Sequence, residues 1–254
     1  MNSVIFDNKI LAEGYAIDRP YFHPIVIDKI QKVIGHRIHE FALDVGCGTG
    51  LSAVALKGIA DKIIAVDSSA EMIDSSIMDD QITYRISKAE EIELNHTVGL
   101  MTLSGSINWI DEHRFFSKAS GLLDSDGWII IYDNNILGEM EGGLGFSEWY
   151  NGEYSLKYPK PARKEQPLSR SALQESNLTL FKADEYTNSI RYSKDGFVRY
   201  IMTQSNITAA IKEHRYSRKD IELWLSNKLD PIFGKEERNI VYGGYIWYVK
   251  KVTS

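Results

Sequence analysis

Apolar and polar positions along this chain follow two rhythms. From residue 25 to 38, Ile27, Ile30, Val33, Ile34 and Ile38 recur three and four apart, which predicts an amphipathic helix. Short continuous apolar runs follow at 41–45, 62–67, 82–87, 99–104 and 127–134. Runs of that length read as strands buried on both faces. Helical stretches fall between them, including Leu51–Leu56 and a one-sided set formed by Phe115, Phe116, Ala119, Leu122 and Leu123. Strands alternating with helices predict a parallel sheet with right-handed crossovers.

After Asn135 the rhythm changes. Residues 138–145 are glycine-rich, and 158–167 hold three of the six prolines. Between Ser155 and Arg170 stand Lys157, Lys160, Arg163, Lys164 and Arg170 against one acid, Glu165. Loops of this length are often functional lids, although a solvated connector has the same composition. Tyr150, Tyr154 and Tyr158 are spaced by four, one aromatic face of a helix, a pattern commoner in cores than in ligand sites. Residues 178–187 and 240–250 read as further strands, with a bulge at Gly243–Gly244. Helices are expected at 193–206 and 217–225, each opened by a capping serine.

The expected fold is α/β: a doubly wound, mostly parallel sheet of seven strands, with an antiparallel final strand and an elaborated C-terminal third. Within one structural domain, residues 1–39 form a cap segment and helix, and 40–135 the core. Residues 136–177 form a lid or insertion, and 178–254 supply closing strands and substrate-side elements.

The chemistry concentrates after the first strand. Residues 41–50 read Phe-Ala-Leu-Asp-Val-Gly-Cys-Gly-Thr-Gly, an apolar run ending in an acid and then three alternate glycines. Glycines allow a tight turn and close approach to a ligand. Strand, glycine loop and helix together open a nucleotide-binding α/β fold. The dinucleotide pattern needs a glycine or alanine where Leu51 stands, and the phosphate-cradling loop needs a lysine that is absent after Gly50. An acid in Asp44 suits a cationic ligand better than a phosphate. The second strand also ends in an acid, Asp67, 23 residues after Asp44. A carboxylate there can accept hydrogen bonds from both ribose hydroxyls.

These segments resemble the class I S-adenosylmethionine-dependent methyltransferases. Leu43 to Gly50 resembles the family's first motif, Ala65 to Ser69 its second, Arg85 to Glu91 its third and Leu100 to Trp109 its fourth. Tyr15-x-x-x-Arg19-Pro20 and Asn108-Trp109-Ile110-Asp111 resemble the small-molecule branch of trans-aconitate methyltransferase-like, type 11 enzymes. That branch carries His-Trp where this chain has Asn108-Trp109, so no general base is implied at that place.

The resemblance implies S-adenosyl-L-methionine as methyl donor and S-adenosyl-L-homocysteine as product. It implies cofactor contacts from Tyr15, Arg19, Asp44, Gly46, Cys47, Gly48, Gly50, Asp67, Ser68, Met72, Ala89, Glu90 and Ser104. Arg19 would pair with the donor's carboxylate, Asp44 would orient the loop and the ammonium, and Asp67 would hold the ribose. Cys47 reads as a small loop residue rather than a nucleophile. Asn108 and Trp109 are the candidate catalytic residues, and Trp109, Tyr132, Asn134, Arg199 and Tyr200 the candidate substrate residues, with Thr203, Ser205 and Asn206 close by. The acceptor is expected to be a small molecule, with an anionic group as one reading. The alternatives are a non-catalytic cofactor-binding sensor or subunit, and a protein or RNA methyltransferase.

Bulk properties narrow these alternatives. A net charge of −6 over 254 residues lacks the basic footprint of a general nucleic-acid binder. The single cysteine excludes an internal disulfide and fits a reducing compartment. Residues 1–15 carry Asp7 and Glu13 and no long apolar stretch, so no leader is expected. The run 128–132 is far short of the ~20 residues that cross a bilayer. A soluble, cytoplasmic monomer or homodimer is expected. His36 and His39 have no further ligand pattern around them, so no metal site is expected.

Overall fold

The computed structural model describes residues 9–143, 145–161 and 168–252. Arg163, Lys164, Glu165 and Pro167 of the basic stretch, and Asp7, lie outside the described residues.

The chain opens with α1 (Lys9–Asp18) and α2 (His23–Ile34). Helix α2 stops four residues before the apolar pattern does, because Gly35 takes φ +91° and leaves Ile38 exposed. The sheet then builds from β1 (His39–Val45), β2 (Ala60–Asp67), β3 (Ile82–Ile86), β4 (Val98–Ser104) and β5 (Leu123–Tyr132). Between them run α3 (Leu51–Leu56), α4 (Ala70–Asp74) and α5 (Glu112–Leu122). These five strands are parallel, in the order β3-β2-β1-β4-β5.

The remainder comprises β6 (Asn135–Met140), a π-helix (Glu148–Tyr154), α6 (Ser155–Lys157), α7 (Arg170–Glu175) and β7 (Leu178–Tyr192). It closes with α8 (Lys194–Met202), α9 (Ser205–Lys212), α10 (Arg218–Phe233) and β8 (Arg238–Lys251). Strand β8 lies antiparallel to β5 and to β7, which gives the expected closing pair. The helix expected at 193–206 is two, separated at Thr203–Gln204. The expected serine caps form: Ser193 accepts from the Gly196 amide and Ser217 from the Asp220 amide.

Among the described residues the sheet has eight strands, the expected seven plus β6. Strands β5 and β6 pair in succession with one edge of β8 and meet at the Asp133–Asn134 corner. The stretch 136–177 therefore begins inside the sheet. No helix among the described residues is long and apolar enough to cross a membrane.

Gly243–Gly244 is not a bulge, since β7 and β8 keep register there, Thr187 opposite Gly243 and Tyr186 opposite Gly244. The irregularities lie at Leu180/Lys182 and Ile136/Glu139. Gly244 instead makes room for the corner. A Cβ there would run into the Asp133 carbonyl and crowd the Tyr186 ring. Through that gap the Tyr186 hydroxyl donates to the Asp133 carbonyl, 2.9 Å away. Gly244→Ala should therefore cost roughly 3 kcal/mol, the upper end for overpacking. For a chain of this size that lowers Tm by roughly 6–12 °C, which a thermal melt will read.

Among the described residues three clusters make up the core. Two cover the faces of the parallel sheet. The third is rich in aromatics and lies in the C-terminal third, where Phe146, Trp149, Tyr154, Tyr158, Phe197 and Tyr242 meet.

Candidate active site

Ligands of open α/β sheets bind at the carboxyl ends of the strands. Here those ends surround one cavity of about 1160 Å³. It reaches from the turn after β3 across to the corner after β5, roughly 19 Å at ~4.8 Å per strand step. Single-ligand pockets usually measure about 300–1,000 Å³. This one has room for two molecules.

The glycine loop forms the floor. Gly46 takes φ +69°, and a Cβ on it would collide with Ser106, whose hydroxyl donates to the Val45 carbonyl at 2.9 Å. Gly48, at φ +54°, has open space above it. Four loop amides are used within the protein: Gly46 and Cys47 donate to the Val66 carbonyl, Gly50 to Cys47, and Gly48 to Asp67 Oδ2 at 2.9 Å. A phosphate would find these donors taken, in line with the failed phosphate-loop spacing. Asp67 Oδ1 also accepts from the Ser69 amide at 2.9 Å. Each carboxylate oxygen keeps lone-pair capacity for a further donor. Burial pushes the Cys47 thiol well above its ordinary pKa, which keeps it protonated.

Asp44 is fully buried beneath the loop and does not reach the cavity wall. It accepts from Ser52 Oγ at 2.5 Å and Thr102 Oγ1 at 2.7 Å, tying α3 and β4 to the end of β1. Its contact is thus with the loop's supports rather than with the space above them. Burial raises its pKa from 3.8 to about 6, against the two hydroxyls. A raised folded-state value means the native protein takes up this proton between pH 6 and 4, before the unfolded chain does. The contribution to stability is complete below pH 3.8 and is lost as pH rises through 6, about 3 kcal/mol in all. Asp44→Asn should remove it: relative to the parent, the variant should be more stable at pH 8 than at pH 4.5. Denaturation midpoints at both pH values test this, and parallel shifts would contradict it.

Tyr15, Arg19, Gly46, Cys47, Gly48, Asp67, Ser68, Met72, Ala89, Glu90 and Ser104 all line the cavity, as do Trp109, Asn134 and Tyr200. Glu90 accepts from the Asp111 amide at 2.8 Å, which links the turn after β3 to the start of α5. Arg19 lies at the end of α1, stacked 4.0 Å from the Tyr15 ring centroid and 5.5 Å from that of Tyr200. Its Nη2 donates to the Tyr15 hydroxyl and the Thr203 carbonyl. Its buried Nε has no partner, and no carboxylate pairs with it among the described residues. Burial works against the charge, but the field of Tyr15, Tyr200, Tyr242 and Asp133 outweighs it and holds the pKa above normal.

Besides Asp44, four expected residues stand elsewhere. Gly50, at φ +91°, caps α3 and faces Tyr84. Asn108 belongs to the short turn Ile107–Trp109 that brings Trp109, not Asn108, to the wall. Tyr132, the last residue of β5, is fully buried in the core beside His23 of α2, while Asp133 and Asn134, past the strand end, reach the cavity. Arg199 is 59% exposed and pairs with Asp18 at 2.9 Å. Phe197, Tyr200 and Ile201 form the inner face of α8, so Arg199 falls on the outer face and fastens α8 to α1.

The structure adds His23, Asp133, Gln204 and the three tyrosines Tyr150, Tyr154 and Tyr158 to the wall. His23 Nδ1 lies 3.0 Å from the Tyr132 hydroxyl. Burial lowers the His23 pKa to about 3, so it is neutral at physiological pH. Its neutral form contributes stability above pH 6.5, and that contribution is lost as pH falls from 6.5 to 3. Asp133 was discoverable by the rule that placed Asp44, Asp67 and Asn134 at strand ends. Nothing local in the sequence pointed to His23.

Comparison with known proteins agrees with this architecture. Residues 43–131 match the methyltransferase domain family model. A Dictyostelium discoideum protein, assigned to the methyltransferases by inference, is 28% identical over 138 residues, which is 52% of this chain and 51% of that protein. The match thus spans about half the length of that curated relative. A structure from Anaeromyxobacter dehalogenans, assigned by inference as a type II methyltransferase, superposes with a TM-score of 0.70 at 18% identity. The superposition covers 92% of this chain and 97% of that one. A Bacillus halodurans structure, also assigned by inference as a methyltransferase, gives 0.54 at 16% identity, over 89% and 99%. At these identities the structural likeness establishes the fold.

Proposed function

We propose that this chain, a class I S-adenosylmethionine-dependent methyltransferase by its domain and fold, transfers a methyl group from S-adenosylmethionine to a small molecule held in the same cavity. The observation that supports this most is the pairing of Asp67 with a buried, carboxylate-free Arg19 in one cavity large enough for two molecules. A ligand with a diol at one end and a carboxylate at the other satisfies both. No carboxylate hydrogen-bonds this buried cation among the described residues, and beyond the field of Asp133 a ligand's carboxylate would complete it.

In this reading Asp67 accepts from the ribose hydroxyls, and Met72, Ala89 and Glu90 border the adenine. Arg19, steadied by Tyr15, takes the carboxylate, and Ser104 lies beside the reacting end. Bound there, the donor supplies a methyl on a sulfonium, which the acceptor's lone pair takes as the carbon–sulfur bond breaks and leaves a neutral sulfide. The protein's contribution is then positioning and exclusion of water. Trp109, Asn134 and Tyr200 border the acceptor. Titration calorimetry with S-adenosylhomocysteine should show binding, and S-adenosylmethionine should turn over when an acceptor is supplied. Failure of both cofactor forms to bind would refute the reading, whereas binding without turnover across acceptor classes would favour a sensor.

A further inference from the structure

We propose that the acceptor subsite takes a flat aromatic molecule bearing a carbonyl or hydroxyl oxygen, held between the π-helix and α8–α9 and read by Asn134 and Gln204. The inference rests on the donor occupying the end of the cavity marked by Asp67 and Arg19. It concerns what lies beyond.

That remainder is lined largely by tyrosine side chains. Tyr150 and Tyr154 stack with centroids 5.3 Å apart at 23°, and Tyr158 continues the row 5.8 Å from Tyr154. Tyr200 closes it from α8. The wall is built rigidly. The Tyr154 hydroxyl and the Tyr158 carbonyl are both held by Asn206 Nδ2, at 3.0 and 2.7 Å. Residues 148–154 form a π-helix, a rare turn type that is frequent at functional sites.

Four buried polar atoms on this wall are uncharged and unpaired among the described residues. Asn134 Nδ2 and Oδ1, Gln204 Nε2 and the Tyr158 hydroxyl are buried without a partner among the described residues. Such groups are costly unless a ligand or water completes them. Donors outnumber acceptors among them, which favours an oxygen on the ligand. The nearby charges are otherwise committed. Arg19 answers the donor's carboxylate, Asp133 accepts from the Asn134 amide at 2.8 Å, and Lys160 is exposed at the mouth. A lining of tyrosine rings and neutral amides fits a planar neutral ring better than a short aliphatic acid.

The test is calorimetry on the full chain saturated with S-adenosylhomocysteine, using 2-naphthol, decahydro-2-naphthol and fumarate as probes. We expect 2-naphthol to bind at least about tenfold more tightly than its saturated counterpart or fumarate, the scale of aromatic pairing. Tyr150→Leu and Asn134→Leu should each weaken 2-naphthol about tenfold and leave S-adenosylhomocysteine affinity unchanged, which also certifies that the variants fold. Preference for fumarate, equal binding of the two ring systems, no 2-naphthol binding, or unaltered binding in both variants would overturn the proposal. Absence of S-adenosylhomocysteine binding would instead strike the methyltransferase reading, and the probes would then be titrated into the chain alone.

Discussion

Asp67→Ala should weaken S-adenosylhomocysteine binding more than a hundredfold. The carboxylate would lose two hydrogen bonds from the ribose, each worth about 1.5–3 kcal/mol when the acceptor is charged. It would also release the Gly48 amide, which donates to Oδ2, and the Ser69 amide, which donates to Oδ1. The first of these shapes the glycine loop where open space lies above Gly48. The second steadies the residue whose hydroxyl caps α4 by accepting from the Met72 amide. One side chain thus supports the ligand, the loop under it and the helix beside it. The loss should appear in calorimetry as weaker binding and in a thermal melt as a lower Tm of the ligand-free protein. Asp67→Asn retains one acceptor oxygen and should fall between. If Asp67→Ala bound within threefold of the parent, the carboxylate would not be holding the ribose.

The half of the site around Asp67 was legible in the sequence because one rule covers it. Strands buried on both faces read as apolar runs, the runs end abruptly, and the residues just past each end must face the cleft. That logic placed Gly46, Asp67, Ala89, Glu90, Ser104 and Asn134 on the wall. It failed where the outcome turned on a single residue of phase. Tyr132 and Asp133 are neighbours, yet the first ends β5 inside the core and the second opens the corner that reaches the cavity. Arg199 and Tyr200 are neighbours, yet a 100° step on α8 sends one to Asp18 outside and the other to the cavity. Strand β6 was missed because it is short and half exposed, and Gly138, at φ +76°, interrupts it. The spacing of Tyr150, Tyr154 and Tyr158 was read as an α-helical core stripe. The residues join the aromatic core and line the cavity at once, through a π-helix that no four-residue spacing can distinguish from an α-helix. No general base was implied at Asn108, where the resembled branch carries a histidine. Here the wall's imidazole comes from α2, in His23, a long-range arrangement that only the folded chain displays.

Arg19→Met separates binding from folding. In the ligand-free chain the guanidinium is buried, rests on Tyr15 and Tyr200, and has no carboxylate partner among the described residues. Taking such a charge out of water is expensive, and hydrophobic replacements of similar volume at buried ionic sites are often neutral or stabilising. Against this stand the two hydrogen bonds from Nη2, to the Tyr15 hydroxyl and the Thr203 carbonyl. Their loss should cost about 1 kcal/mol each. The two effects nearly offset, so the ligand-free variant should melt within a few degrees of the parent. Ligand binding has no such offset. A carboxylate entering this place would face an apolar thioether in place of a cation, and a buried unpaired charge is penalised by about 3–5 kcal/mol. S-adenosylhomocysteine should therefore bind at least a hundredfold more weakly. Decarboxylated S-adenosylhomocysteine, which brings no anion, should bind parent and variant alike. A variant that melts as the parent does and binds S-adenosylhomocysteine equally well would show that the arginine answers some other anion. A collapse in Tm of the ligand-free chain would show that its role is structural.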